Sequence, residues 1–384
     1  MTLRKSLCTW SLLLAVPAFA YAADADLAKN LAKIRAVGAK GEGNREAGAA
    51  AKALASANAA DLPMILAAMD GTNVLAENWI RGIAEAVAQK QAGGKLPVAE
   101  LEKFLGQTKH SPRARRLAYE LVAGVDDMAK GRLIPTLLND PSLELRRDAV
   151  ALALADAAKV EGKDAAKAAY RKAFAAARDH DQIKEAAAKL RELGDTVDLP
   201  THYGFLLTWQ IIGPFDNTGD KGWNIAYPPE EKVDLAAAYP GLKGEVSWKE
   251  TTSKDDLGMV DLTKVLDKHK GAIAYASTEF ISEKDQDVDL RLGCINANKI
   301  WLNGEELTAN HVYHAGQEID QYLAKGKLKK GKNAILLKIC QNEQTEAWAQ
   351  SWQFQLRVCD TIGTAVLSQD RPLPKTAFLP KVRR

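Results

Sequence analysis

Apolar residues recur every three or four positions from Asp24 to Leu193, and every second position in several runs beyond Pro200. The first spacing puts one apolar stripe on an α-helix; the second puts alternate side chains on one face of a β-strand. Three helical stretches look alike. Leu62, Ile65 and Leu66 lead to Asp70-Gly71 and then Trp79, Ile80, Ile83 and Val87. Leu101, Phe104 and Leu105 lead to Ser111-Pro112 and then Arg115, Arg116, Ala118, Leu121 and Val122. Leu133, Ile134, Leu137 and Leu138 lead to Asp140-Pro141 and then Arg146, Arg147, Ala149 and Leu152. Ser111 and Asp140 are expected N-caps, with Pro112 and Pro141 at the first helical position. A further pair is expected over Ala165–Arg178 and Asp181–Leu193.

Beyond Pro200, Val288, Leu290 and Leu292 alternate with Asp287, Asp289 and Arg291. Ile335, Leu337 and Ile339 alternate likewise, as do Trp352, Phe354, Leu356 and Val358. With Phe205–Ile212, Ala272–Ile281 and Lys299–Leu302 these make at least six short strands. The expectation is an antiparallel sandwich with one wet face per sheet. Asn303-Gly304 predicts a two-residue hairpin turn, since both residues tolerate positive φ.

The helical repeats resemble HEAT-type repeats, best over Leu133–Ala157, which implies helix pairs stacked into an α-solenoid. The arginines Arg81, Arg116 and Arg147 hold one place in each second helix; they are read as structural, tying neighbouring repeats. Lys299–Glu305 (KIWLNGE), Gly316, Asp320 and Leu328–Asn342 (LKKGKNAILLKICQN) resemble the galactose-binding-like jelly roll, over Ala272–Asp360. That resemblance implies a β-sandwich of a kind that accompanies many glycoside hydrolases and secreted bacterial proteins. The expected organisation is a leader at 1–22, a helical domain at 23–194, a linker at 195–203, the sandwich at 204–366 and a tail at 367–384.

Composition sharpens the division. Residues 23–193 hold 44 alanines and residues 200–384 hold 16. Arg4 and Lys5, an apolar run from Leu12 to Phe19 and Ala20-Tyr21-Ala22 predict a signal peptide cleaved after Ala22, hence export to the periplasm or beyond. Without the leader the charge is 50 − 49 = +1, which gives no electrostatic reason to expect a nucleic-acid partner. Cys294, Cys340 and Cys359 then remain, read as buried thiols, with a Cys294–Cys340 bridge as the alternative.

Candidate chemistry concentrates in the sandwich, which holds six of the eight tryptophans. Trp301 and Trp352 fall on strand positions and are assigned to the core. Trp223, Tyr227 and Trp348 lie in irregular segments and are the ligand-binding candidates, because sugar C–H groups stack on exposed aromatic faces. Asp216, Asn217 and Asp220 are calcium candidates, with an Asx turn as the other reading. His311-x-x-His314 with Glu318 lacks a defined third ligand for zinc. The basic run Lys325–Lys332 reads as a solvated turn. No nucleophile elbow, zincin helix or phosphate loop occurs, and no cofactor is implied. The expected function is therefore an exported, non-catalytic binding protein, its sandwich taking a glycan or partner and its solenoid docking a protein. The alternatives are an envelope scaffold without sugar binding, and a hydrolase with a site between the domains.

Overall fold

The computed structural model of the chain describes residues 18–90 and 96–371. The leader expected at 1–22 lies outside the described residues except for its last five, and the tail is described only to Arg371. The chain falls into two compact units, one up to Leu152 and one from Ala153 onward.

The first unit is built from paired helices. These are α1 (Ala18–Arg35) with α2 (Asn44–Leu54), α3 (Leu62–Ala67) with α4 (Val74–Lys90), and α5 (Val98–Leu105) with α6 (Pro112–Ala123). The short α7 (Ala129–Leu133) then leads through a 3-10 turn into α8 (Leu143–Ala157). The apolar positions expected on each stripe form one continuous core, including Leu62, Ile65, Ile80, Ile83, Leu101, Leu117 and Val122. Alanines at 47, 50, 84, 114 and 118 are also buried, which lets neighbouring helices approach closely.

Ion pairs join the helices across the repeats. Arg81 pairs with Glu120 at 2.7 Å, Glu120 also accepts from Arg116 at 2.9 Å, and Arg116 reaches Asp148. The residue one place earlier does the buried work. Arg115, 1% exposed, donates to the Leu105 carbonyl at 2.7 Å and to both Asp140 oxygens at 2.8 and 2.5 Å. This changes the expected caps. Asp140 is occupied by Arg115 and the Ser142 N–H, so α8 begins at Leu143, beyond Pro141. Ser111 does precede α6, but its side chain donates to Glu77 and makes no cap bond.

The second unit opens with α9 (Lys163–Ala176), α10 (His180–Glu192) and α11 (Leu199–Tyr203), then turns to strands. These are β1 (Thr208–Asp216), β2 (Ala238–Gly241), β3 (Gly244–Ser247), β4 (Lys249–Thr252), β5 (Val260–Asp261) and β6 (Ala272–Ser282). They continue with β7 (Gln286–Cys294), β8 (Ala297–Leu302), β9 (Glu305–Asn310), β10 (Tyr322–Leu328), β11 (Gly331–Gln341) and β12 (Gln353–Cys359). A six-stranded antiparallel sheet, β4-β1-β6-β11-β8-β9, faces a four-stranded one, β10-β7-β12-β5, as a β-sandwich. The core between them holds Trp209, Phe280, Leu290, Leu292, Leu337, Trp352 and Leu356. Leu302 pairs with Glu305 across the expected Asn303-Gly304 turn, whose φ values are 54° and 85°.

One expectation is overturned. The outer face of the six-stranded sheet is dry. Ile212, Phe215, Ile273, Tyr275, Leu336 and Cys340 point away from the sandwich interior into a second apolar layer. The segment from Trp223 to Trp248, with the β2-β3 hairpin, covers them. Burying one tryptophan there contributes about 4 kcal/mol before ordering costs, at roughly 25 cal/mol per Å² over about 150–250 Å². The layer is pinned by Lys338, 0% exposed, which points outward from β11. Its ammonium donates to Glu230 at 2.8 Å and to the carbonyls of Ile225 and Trp223 at 2.8 and 3.3 Å. Tyr275 also donates to Glu230.

The same geometry rules out the Cys294–Cys340 bridge. Cys294 belongs to the core between the sheets, whereas Cys340 faces the outer layer on the far side of β11. Both are free buried thiols, as is Cys359, and burial pushes Cys294 and Cys340 up to about 12. The basic run is also less of a turn than expected. Lys325 and Lys327 lie on β10 opposite Asp289 and Asp287 of β7.

Candidate functional site

Three connections meet at one end of the sandwich: the segment after β1, the segment from β9 to β10, and the loop from β11 to β12. Their side chains form a row of rings. Trp223 stacks on His311 with centroids 4.4 Å apart and planes 5° off parallel. His311 lies 5.8 Å from Tyr313, and Tyr313 lies 6.3 Å from His314. His314 meets Trp348 edge-on at 5.0 Å.

Polar bonds hold the row in place. Asp220, with φ at 61°, accepts from Tyr313 Oη at 2.6 Å and pairs with His311 Nε2 at 2.6 Å. Asn217 is wholly buried and donates to Tyr313 Oη at 3.1 Å and the Gln341 carbonyl at 3.2 Å. Burial, and the bond to Asp220, raise the Tyr313 phenol above its ordinary value, so it stays a donor. His314, also at positive φ, contacts Asn342 Oδ1 through Nε2 at 3.0 Å. The β11–β12 loop is anchored from below, where Lys270 and Gln341 both donate to the Ala349 carbonyl.

The three aromatic candidates fare differently. Trp348 is 59% exposed and offers an open ring. Trp223 is buried, covered by His311 on one side, with the Lys299 ammonium 5.0 Å from its ring. Tyr227 is half-buried, packs on Phe215 at 4.8 Å and donates its hydroxyl to the Asp216 carbonyl. So Trp223 and Tyr227 belong to the covering layer; only Trp348 of the three presents a free face. Trp301 and Trp352 are buried as expected.

The calcium candidates do not converge. Asp216 accepts from both the N–H and hydroxyl of Thr218, an Asx turn, and those bonds hold its carboxyl below the usual range. Asp220 is engaged as described above, and Asn217 donates through its amide nitrogen while its buried Oδ1 has no hydrogen-bond partner among the described residues. Among the described residues no cluster of three or more His, Cys, Asp or Glu is arranged to hold a metal ion. His311 and His314 turn to different partners, Asp220 and Asn342.

The residues missed from the sequence are His311, Tyr313 and His314 as the supports of Trp348. Their His-x-Tyr-His spacing was visible, but the partners lie 28 to 96 positions away. Elsewhere on the sandwich a groove of about 990 Å³ runs between β9 and β10, lined by Lys325, Lys327, Asp287, Asp289 and Leu307. Its charges sit opposite one another across the β7–β10 ladder, an ordinary source of sheet stability.

No family model matches the chain, and no curated protein matches it. Among solved structures it is similar to a β-glucosidase from Kluyveromyces marxianus in complex with glucose, at 15% identity over 40% of this chain and 16% of that one, with a TM-score of 0.25. A selenomethionine-labelled β-glucosidase from the same organism matches at 14% identity over 45% and 22%, with a TM-score of 0.27. A β-glucuronidase from an uncultured Clostridium sp. matches at 12% identity over 41% and 29%, with a TM-score of 0.21. The chain thus spans less than a third of the length of each, and scores this low do not establish a shared fold.

Proposed function

We propose that this chain is an exported, non-catalytic binding protein. Its sandwich, read as a galactose-binding-like jelly roll, recognises a glycan at the loop end, and its helical unit, read as HEAT-like, docks a protein. One observation carries the sugar arm: the 59% exposed ring of Trp348, set edge-on against His314, whose Nε2 contacts Asn342 Oδ1. An aromatic face held firmly beside hydrogen-bonding groups suits a pyranose ring, whose C–H face stacks while its hydroxyls bond. The carboxylate at the centre of the row, Asp220, is engaged by His311 and Tyr313, which supports a binding reading.

The test is titration of the full chain against a glycan array, with Trp348→Ala in parallel. The expected result is binding to a subset of glycans that weakens at least tenfold in the variant, with the melting temperature unchanged. Flat curves across the array, or binding indifferent to Trp348, overturn the sugar arm.

A further inference from the structure

The helical unit carries a trough of about 910 Å³ between α2 and α4. Its walls are two helix faces. Asn44, Gly48, Ala51, Lys52 and Ala55 recur at helical spacing on α2, and Leu75, Asn78, Trp79, Gly82, Ile83 and Ala86 do so on α4. Each face spans twelve residues, about 16 Å over eleven rises of 1.5 Å, or three helical turns.

Two glycines in the walls lack an internal explanation. Gly48 and Gly82 lie inside α2 and α4, where glycine weakens a helix relative to alanine. A Cβ at either position would meet nothing within 4 Å among the described residues. The surrounding sequence uses alanine freely, yet here it keeps the walls bare. Packing within this chain gives no reason for that, whereas close approach of another backbone does. Apolar surface is left facing the trough as well: Leu75 is 46% exposed, and Trp79 is half-buried.

The charge of the trough narrows the occupant. Its lining includes Lys40 and Lys52 and no carboxylate, and neither lysine has an ion-pair partner among the described residues. We propose that this trough docks an amphipathic helix of a partner protein, about three turns long, whose apolar stripe is flanked by Asp and Glu. Leu75 and Trp79 receive the stripe, Gly48 and Gly82 admit the incoming backbone, and the two lysines meet the flanking acids. The proposal rests on the reading of the helical unit as a protein-docking element and names the partner class.

The experiment displays a library of amphipathic three-turn helices, randomised at the flanking positions, against the full chain. Selected peptides are then measured by fluorescence anisotropy. Enriched sequences are expected to carry acids beside the apolar stripe. Gly48→Leu and Gly82→Leu, whose added Cβ meets nothing within 4 Å among the described residues, should weaken binding at least tenfold with the helical circular dichroism retained. Gly48→Ala and Gly82→Ala should raise the melting temperature of the free protein. Lys40→Glu with Lys52→Glu should reverse the preference towards base-flanked helices. No enrichment, enrichment without acids, or affinity indifferent to the Leu variants overturns the proposal. A dimer of the chain that the Leu variants abolish places a second copy in the trough and overturns it too. Trp348→Ala should leave peptide binding intact, and Gly82→Leu should leave glycan binding intact, so failure of one arm is separable from failure of the other.

Discussion

The two units each contain a buried cation that fastens one piece of chain to another, and they use it at very different ranges. Arg115 clamps a loop 10 residues before it and an aspartate 25 residues after it. Lys338 clamps a segment 108 to 115 residues before it. In the helical unit each junction is a local affair between successive repeats. In the sandwich, by contrast, one side chain secures a whole covering layer. Removing one partner of a buried pair is costly because the other is left charged and dry.

Three experiments can break or sharpen that comparison. Lys338→Met should have the largest effect, roughly 4 kcal/mol, since Glu230 and the carbonyls of Trp223 and Ile225 all lose a donor. Hydrogen exchange should show protection lost first over residues 217–248 while β6 and β11 keep theirs. Simultaneous loss across the sheet would mean that the layer is no separate element.

Arg115→Met should cost somewhat less, about 3 kcal/mol by urea denaturation, because Asp140 keeps the Ser142 N–H. Its lost protection should be confined to α5, α6 and the start of α8. Spread over the entire helical unit, it would contradict the local character of the clamp.

The third and smallest effect is set by pH. Burial, together with the charges of Arg178 and Arg357, lowers His202 from 6.5 to about 4. Below 6.5 the unfolded chain gains a proton that the folded one refuses, so stability should fall as pH drops from 6.5 to about 4 and level off beneath. His202→Gln should flatten that slope in denaturation measured across the window. A slope that persists in the variant would assign it to another group.

The sequence made some of these arrangements legible and hid others. Local signals identified the helix pairs from Leu62 onward and six of the strands, and residue type identified the Asn303-Gly304 turn, because each depends on neighbours in the chain. The dry outer face was partly written in β11, where Ile335-Leu336-Leu337 and Ile339-Cys340 are apolar on both faces rather than alternating. Lys338 in their midst disguised it, and its burial depends on Glu230, which no spacing links to it. The aromatic candidates failed for the same reason. Trp223 looks open until His311 and Lys299, 88 and 76 positions later, are folded over it. Trp348 was found because nothing distant covers it.

The strand order has a consequence for synthesis. The centre of the larger sheet is β11, between β6 and β8, and β12 joins β7 to β5 in the smaller one. They are the last two strands in order among the described residues, so a polypeptide made only to residue 330 can form the β4–β1–β6, β8–β9 and β7–β10 pairings but has nothing to join β6 to β8 or β7 to β5. Until β11 and β12 are added, those pairings stay separate pieces with the apolar inner faces of β6, β7 and β8 uncovered. A chain so arranged closes late and depends on slow, long-range pairing.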